Sequence, residues 1–299
     1  MIEAVLNGRT GNCLFQYAAA RALAERTGTT VLLNLARFTS WCNPRGGSVA
    51  RTLRLFSLNA SYTGLDADAG RTLSRLGLRE RREDFIERSW GYDCRFEALG
   101  AATRLTGYFQ SAQYWTGFES RIRADLRPRE IPADPLFREA AATIGRTMSV
   151  SMHVRRGDYR HSPLHNVCTR EYYVRAMASM RARLDQPTFF IFSDDMNWCS
   201  SQFAAPDVIP IDIPLCRSAP ALDMHLMSHC RHHIVSNSTY SWWGAWLNDK
   251  PGKIVVAPDR WFNDAAMNRL AMVDTVPSEW DRIPAGATSV RAAASASSA

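Results

Sequence analysis

The stretch Met148-Ser-Val-Ser-Met-His-Val-Arg-Arg-Gly-Asp158 sets the architecture of the second half of the chain. Residues 148–154 alternate in hydrophobic character and carry Val150 and Val154, which predicts a β-strand. Two arginines, a glycine and an aspartate follow directly and indicate a turn. Because ligands in open α/β sheets bind outside the carboxyl ends of strands, this turn is the first candidate for a binding site.

Strand and helix patterns alternate on both sides of this turn. In the second half we predict strands at 148–154, 188–192, 208–213, 234–235 and 254–257, and helices at 170–184, 221–230 and 242–247. In the first half we predict a strand at 2–6, a glycine-bearing turn, a helix at 13–27 and a strand at 31–35. This alternation predicts an α/β protein with mostly parallel, doubly wound sheets in two Rossmann-like domains that face each other.

The domain boundaries follow from length and composition. A chain of 299 residues exceeds the usual single domain, and three prolines within 127–135 indicate a linker. We predict an N-terminal α/β domain at 1–130, a C-terminal Rossmann-like domain at 145–284 and a disordered Ala/Ser-rich tail at 285–299. Residues 37–110 mix aromatics with arginines and fit either an irregular acceptor-facing region or long connections.

Charge and cysteine content narrow the class of protein. The net charge of +7 suits an anionic partner, such as nucleic acid, a membrane surface or a phosphorylated small molecule, or it only maintains solubility. No recognised nucleic-acid module is present in the sequence. Seven cysteines without a C-x-x-C pair favour a reducing cytoplasm. We expect no signal peptide and no membrane span, and leave peripheral contact with the inner face of a membrane open.

The turn after the 148–154 strand carries two adjacent arginines, Arg155 and Arg156. A guanidinium group matches phosphate oxygens with a rigid fork of donors. Adjacent side chains at a strand end point in different directions, so we expect one arginine to meet phosphate and the other to be held by a carboxylate, with Asp158 as the candidate. A purely structural arginine–aspartate turn is the alternative.

Polar residues follow two more predicted strands. Asp194 and Asp195 can bind a metal, a ribose hydroxyl or guanine, whose N1–H and amino group are adjacent donors. They can equally cap the next helix. Residues 236–241 place small hydroxyl groups at a helix N-terminus, which favours phosphate binding or ordinary capping.

Other patterns carry weaker signals. The turn at 7–12 lacks the G-x-G-x-x-G spacing of a dinucleotide fingerprint, although its glycines permit close approach to a pyrophosphate. We interpret Asp66-Ala-Asp68 as a polar loop because it follows no apolar strand. The histidines at 229, 232 and 233 lack the spacing of a metal site. The tryptophans at 242, 243 and 246 have helical spacing and are predicted to be core.

Four stretches of the sequence together resemble the motifs of glycosyltransferase family 11, the α-1,2-fucosyltransferases. They are Gly11-Asn-Cys-Leu-Phe-Gln-Tyr17, His153-Val-Arg-Arg-Gly-Asp-Tyr159, Phe192-Ser-Asp-Asp195 and Asn237-Ser-Thr-Tyr-Ser-Trp-Trp243. They occur in the order of the family, and four ordered matches are far more specific than one. Tyr240, where phenylalanine is frequent, and Cys13-Leu14, in place of the more usual Gln-Met, depart from the pattern.

The resemblance implies a GT-B architecture and an inverting transfer of L-fucose from GDP-β-L-fucose without a metal cofactor. The acceptor would be an oligosaccharide or glycolipid, and the hydroxyl that receives the fucose would be O2 of a terminal galactose. Residues 1–130 would form the acceptor side, and 145–284 would bind GDP-fucose. The alternatives are a transferase of the same fold with another GDP-sugar or linkage, and a non-catalytic relative.

The resemblance also assigns roles to residues. It places Arg155 at the pyrophosphate, His153 and Asp195 at the nucleotide, with Asp195 toward guanine, and Ser238 and Thr239 at the β-phosphate. We therefore expect catalysis to depend on Arg155 and Asp158. The expected donor-binding residues are Asn12, His153, Arg155, Asp194, Asp195, Asn237, Ser238 and Thr239. The general base stays open among Asp158, His161, His165 and the leaving phosphate.

Overall fold

The first domain is built on a five-stranded parallel sheet. The computed structural model describes residues 1–38, 46–64 and 82–286, and the elements are numbered along these residues. The strands are β1 (Ile2–Val5), β2 (Val31–Asn34), β3 (Ser61–Thr63), β4 (Glu83–Ile86) and β5 (Thr103–Thr106). The helices are α1 (Thr10–Arg26), α2 (Gly46–Leu53) and α3 (Glu119–Asp125). The strand order is β3-β2-β1-β5-β4.

The second domain is built on a six-stranded parallel sheet. Its strands are β6 (Met148–Val154), β7 (Pro187–Ser193), β8 (Val208–Pro210), β9 (His232–Ile234), β10 (Val255–Pro258) and β11 (Asp281–Ile283). Its helices are α4 (Pro135–Arg146), α5 (Arg170–Arg183), α6 (Met196–Gln202), α7 (Pro214–Ser218), α8 (Pro220–His229), α9 (Thr239–Trp246) and α10 (Ala265–Ala271). The strand order is β11-β10-β9-β6-β7-β8.

Two parallel α/β domains with a cavity between them form the GT-B arrangement, so the predicted fold class is confirmed. The register of the second sheet positions its carboxyl edge. Strands β6 and β7 pair over seven residues, which sets Val154 beside Ser193. The turns that follow these two strands therefore start side by side.

Helix α1 is the centre of the first domain. Every residue from Cys13 to Ala24 is buried, which fits a helix that is apolar on all sides. The one charged residue in this buried stretch is Arg21, whose Nε donates to Asp125 Oδ2 at 2.9 Å. Tyr17 donates to the same oxygen at 2.6 Å. The buried charge is therefore paired and hydrogen-bonded, as burial requires.

An aromatic cluster joins the two domains. The ring of Phe15 on α1 lies 4.6 Å from Trp242, 4.9 Å from Trp243 and 5.6 Å from Trp115. Trp243 also donates its indole N–H to the carbonyl of Gly11 at 3.0 Å. The predicted core role of the tryptophans at 242, 243 and 246 is confirmed, since all three are buried, and the core they build is shared between the domains.

The close approach of α1 and α9 depends on a residue without a side chain. A Cβ atom on Gly11 would lie 2.5 Å from both Thr239 Oγ1 and the backbone nitrogen of Tyr240. Only glycine lets the two helix N-termini meet at this distance. The contact between the two helix N-termini therefore requires glycine at position 11.

The structure revises the expected domain boundaries. Arg129 still donates to Leu55 of the first domain, whereas α4 packs on α8 with Phe137 stacked on His225. The second domain thus begins at α4, before residue 145. Ala285 is buried and its carbonyl accepts from Thr169, so the disordered tail does not begin there.

Two segments that carry predictions lie outside the described residues. This concerns the D-x-D stretch at 66–68 and the tail after residue 286, on which the corresponding predictions stay untested. Within the ranges that the structure does describe, no helix has the length and apolar character needed to cross a membrane.

The Gly11 contact yields a stability prediction. Gly11→Ala should lower the free energy of unfolding by about 1–3 kcal/mol because the added methyl group overlaps α9. Urea unfolding followed by tryptophan fluorescence measures the change. Gly145→Ala is the matched control, since its Cβ meets nothing within 4 Å and alanine favours the helix by up to about 1 kcal/mol. Equal stability of Gly11→Ala and the wild type would contradict this account.

Candidate functional site

A cavity of about 1400 Å³ lies between the two sheets. Both domains contribute to its wall. The lining includes seven of the predicted donor-binding residues and the catalytic candidate Asp158: Asn12, His153, Arg155, Asp158, Asp194, Asp195, Ser238 and Thr239. The topology brings these distant segments together because parallel strands end at one edge of each sheet.

Arg155 is clamped in the cavity wall by two carboxylates. One terminal nitrogen of its guanidinium group donates to Asp194 and the other donates to Asp158. The side chain is only 17% exposed. Asp158 also accepts from Arg9 of the first domain at 2.7 Å, so this ion-pair network crosses the cleft. The guanidinium group is thereby fixed in direction before any ligand binds.

Arg156 does not line the cavity, and a carboxylate holds it, as expected for the arginine that does not meet phosphate. Its Nε donates to Asp195 at 3.2 Å, and its guanidinium carbon lies 3.8 Å from the ring centroid of Trp198. The carboxylate that holds it is therefore Asp195, whereas Asp158 was the candidate from sequence. The side chains of adjacent residues point to opposite sides, and Asp158, three residues from Arg155, pairs with Arg155 and with Arg9 instead.

The two aspartates after β7 have different tasks. Asp194 accepts from the backbone N–H groups of Arg156 and Gly157, at 2.9 and 3.1 Å, and a Cβ on Gly157 would overlap it. Asp195 caps α6 by accepting from the N–H of Trp198 at 3.3 Å. The capping alternative thus applies to Asp195. Both carboxylates are occupied by donors of the protein itself.

Helices α1 and α9 both start at the cavity. At neither helix does the N-cap side chain bond to the first turn, so the first N–H groups lack that kind of partner. Thr239 donates to Asn12 Oδ1 at 2.9 Å across the interface. Each N-terminus carries a partial positive charge of about half a proton. Two such ends in contact make a strongly anion-attracting position.

His153 lies in the same wall as a neutral group. Burial lowers its pKa to about 4, against a smaller opposite effect of Asp194. Its Nδ1 lies 3.4 Å from Ser236 Oγ, and its ring faces Tyr240 at 5.3 Å. An uncharged imidazole can donate one hydrogen bond to a ligand and accept one from it. Because it carries no positive charge, it does not compete with the cationic groups of the wall for an anion.

Asp223 is a cavity residue that the sequence did not reveal. It lies in the first turn of α8 and lines the cavity. Its Oδ1 is buried and has no partner among the described residues, and burial raises its pKa to about 7. Nothing in the sequence marks it, because an aspartate in a first helical turn usually serves the helix. Its buried, unpaired oxygen marks it in the structure.

Asn237 does not line the cavity, so its predicted contact with the donor is corrected. The side chain is buried, and its amide nitrogen donates to the carbonyls of His165 and Trp261, both at 3.0 Å. Both amide hydrogens are consumed by the fold. Asn237 instead ties the segment after β9 to two loops of the cavity rim.

The histidine cluster also serves the fold. His233 is fully buried between Ser151 and Asn248, each 2.8 Å from one ring nitrogen. His232 accepts from the backbone N–H of Ile254 at 3.0 Å. Across the described parts of the chain, no group of three His, Cys, Asp or Glu residues could hold a metal ion.

The three candidates for a general base differ in placement. Asp158 has one oxygen on Arg155 and the other on Arg9. His161 does not line the cavity and accepts from Arg160 at 2.8 Å. His165 lines the cavity, burial lowers its pKa, and its Nδ1 lies 2.8 Å from Ser162 Oγ. His165 is therefore the one that faces the cavity as a neutral imidazole.

Comparison with known proteins places the chain in a family. The profile described as "Glycosyl transferase family 11" matches residues 58–283, which is more than half of the chain. An α-1,2-colitosyltransferase of Escherichia coli is 28% identical, with 95% of this chain and 99% of the relative aligned. A galactoside 2-α-L-fucosyltransferase, Sec1 of Mus musculus, is 27% identical over 81% of this chain and 63% of the relative.

Solved structures show a more remote likeness. The fucosyltransferase NodZ from Bradyrhizobium has 15% sequence identity and a TM-score of 0.44, with 81% of this chain and 91% of that chain covered.

The buried Asp223 carboxyl, whose Oδ1 has no partner among the described residues, leads to a pH-dependent stability prediction. Between about pH 4 and 7 the folded state keeps a proton that the unfolded aspartate has lost, so the free energy of unfolding falls as pH rises through this window. Asp223→Asn should remove the penalty and raise the free energy of unfolding at pH 8 by on the order of 1–3 kcal/mol, with a smaller gain at pH 5.5. Urea titrations at both pH values measure this.

Asp185→Asn provides the control, because Asp185 is exposed and its substitution should change the free energy of unfolding by no more than about 0.5 kcal/mol. A gain for Asp223→Asn that is the same at both pH values would show that the carboxyl charge is not its cause.

Proposed function

Because the chain belongs to glycosyltransferase family 11, we propose that it transfers L-fucose from GDP-β-L-fucose to a glycan hydroxyl with inversion at the anomeric carbon. The observation that carries this proposal is the meeting of two helix N-termini beside the clamped Arg155. A diphosphate is the kind of ligand that such a position favours. The acceptor in this proposal is O2 of a terminal galactose in an oligosaccharide or glycolipid.

The pyrophosphate of the donor would lie between α1, α9 and Arg155. The N-termini of the two helices meet at Gly11 and Tyr240, and two like partial charges in contact repel each other. A diphosphate placed beside them relieves this repulsion. In this proposal Ser238 and Thr239 contact the β-phosphate, while Asn12 completes the pocket from the first domain.

The guanine base would be recognised by another residue of the cavity wall, Asp223. Guanine presents N1–H and an amino group as adjacent donors, and the Asp223 carboxyl, whose Oδ1 has no partner among the described residues, is suited to accept from them. Asp195, which capped α6 in the structure, is less available for this task. We therefore transfer the guanine contact from Asp195 to Asp223. His153 and Asp194 remain residues of the donor wall.

The reaction is a direct displacement. The acceptor oxygen bonds to the anomeric carbon of fucose while the bond from that carbon to the β-phosphate oxygen breaks, and negative charge develops on the phosphate. Arg155 and the helix N-termini are preorganised donors at the position where this charge grows. No step of this scheme requires a metal ion.

The proton of the acceptor hydroxyl also needs a destination. We propose His165 as the base, since its neutral ring faces the cavity and its Nδ1 is oriented by Ser162. Asp158 then contributes by holding Arg155 against the leaving phosphate. A cytoplasmic location remains a prediction.

A second donor is suggested by one relative. The Escherichia coli protein that aligns along 95% of the chain is named a colitosyltransferase, and colitose is fucose without its 3-hydroxyl group. Transfer from GDP-colitose by the same mechanism is therefore the alternative function.

A donor assay tests the proposal. Purified enzyme should release GDP and form product from GDP-fucose with a lactose-type galactoside, and NMR of the product should show an α-1,2 linkage. GDP-colitose should be used less well, and GDP should compete where UDP does not. Asp223→Asn should weaken the competition by GDP about tenfold or more, since one charged hydrogen bond is lost. Use of GDP-colitose alone would overturn the choice of donor.

Arg155 yields the sharpest mutational prediction. Arg155→Lys should reduce kcat by about 100- to 1000-fold, because an ammonium group cannot bridge two carboxylates and still point at the phosphate. Steady-state transfer kinetics with GDP-fucose measure this loss. The neighbouring Arg156→Lys is the matched control outside the cavity and should cost less than about tenfold. Equal losses in the two variants would contradict the assignment.

A further inference from the structure

Gln110 combines burial with an unused hydrogen-bonding atom. The residue is 3% exposed and lines the cavity. Its Nε2 donates to Asn12 Oδ1 at 3.1 Å, but its Oε1 is buried without a partner among the described residues. Native proteins satisfy most buried polar atoms. An orphaned acceptor in the wall of a binding cavity therefore indicates that a ligand donor completes it.

The position of Gln110 places it near the sugar end of the proposed donor. Asn12 Oδ1 receives both Gln110 Nε2 and the hydroxyl of Thr239, at 3.1 and 2.9 Å. Gln110 is thus one side chain away from the helix N-terminus that would hold the β-phosphate. The group attached to that phosphate is the hexose to be transferred. Its hydroxyl groups are the donors that would reach this wall of the cavity.

The backbone before Gln110 is held in an unfavourable conformation. Phe109 has φ of 54°, which is uncommon for a bulky residue. The carboxylate of Glu87 accepts from the N–H groups of Tyr108 and Phe109, at 2.6 and 3.0 Å. Local strain that the surroundings enforce in this way is concentrated at ligand sites. Here it directs the side chain of residue 110 to the interdomain wall.

We propose that Gln110 determines donor specificity by accepting a hydrogen bond from one ring hydroxyl of the transferred hexose through its Oε1. A small rotation of the amide toward the cavity, with the bond to Asn12 kept, brings the oxygen to the ligand. The inference rests on the proposed function. It adds that the enzyme distinguishes a fucose-type sugar from its deoxy analogues at this residue.

A series of donors with single hydroxyl groups removed tests this proposal. Transfer from GDP-fucose and from its 2-, 3- and 4-deoxy analogues is measured as kcat/KM for the wild type and for Gln110→Met. The wild type should use one deoxy analogue about 10- to 100-fold less well than GDP-fucose. In Gln110→Met that penalty should disappear, because GDP-fucose becomes as poor a donor as this analogue, while kcat/KM for this analogue itself should stay close to its wild-type value.

Gln16→Met is the matched control. Gln16 is a buried glutamine that supports the same turn, but both ends of its amide are paired, with Asn7 N–H and with the carbonyl of Gly107. Damage to the turn should lower kcat/KM for all donors alike and leave their ratios unchanged. If the donor ratios of Gln110→Met equal those of the wild type, the specificity role is refuted. If the wild type transfers none of these sugars, the proposed function itself fails.

Discussion

The contact between the first turns of α1 and α9 is the constraint on which the site depends. Gly11 lets the turns meet, and Trp243 holds them by its bond to the Gly11 carbonyl. Two helix N-termini in contact are electrostatically unfavourable. The aromatic packing of Phe15 against the tryptophans of α9 stabilises the domains in spite of it. The fold thus uses hydrophobic burial to hold together a position that attracts an anion.

The arginine beside this position is prepared in a different way. Arg155 would repel the positive helix ends if it were unpaired, yet Asp158 and Asp194 balance its charge and fix its direction. Asp194 also binds the backbone of the turn that carries the arginine. One carboxylate therefore orients both the side chain and its backbone. This arrangement keeps donors available to a phosphate without a cost of reorganisation when negative charge develops.

In the second domain β6 and β7 were the most predictable strands because each spans seven residues, whereas the three-residue β11 was not predicted. The strands β3, β4 and β5 were not predictable, since they have three or four residues with mixed polarity.

At the site, the order of the motifs in the sequence identified the turns but not which side chains pair with each other. Asp158 was the expected partner of the arginine that does not meet phosphate, but it pairs with Arg155 while Asp195 holds Arg156, because side-chain direction depends on the register of β6 against β7. Asp223 and Gln110 had no sequence signal, since what distinguishes them is an unpaired buried atom.

The nature of the interface also limits how the cleft can work. Relative motion of domains is expected where their interface is small and polar, but here one continuous core runs from α1 through Trp115 to α9. A wide hinge opening would expose these aromatic rings to water. The cleft must therefore accept its donor with the domains already in contact. Under that condition selectivity falls to side chains fixed in the wall, and an unpaired acceptor such as Gln110 discriminates between sugars because no domain movement can supply it with another partner.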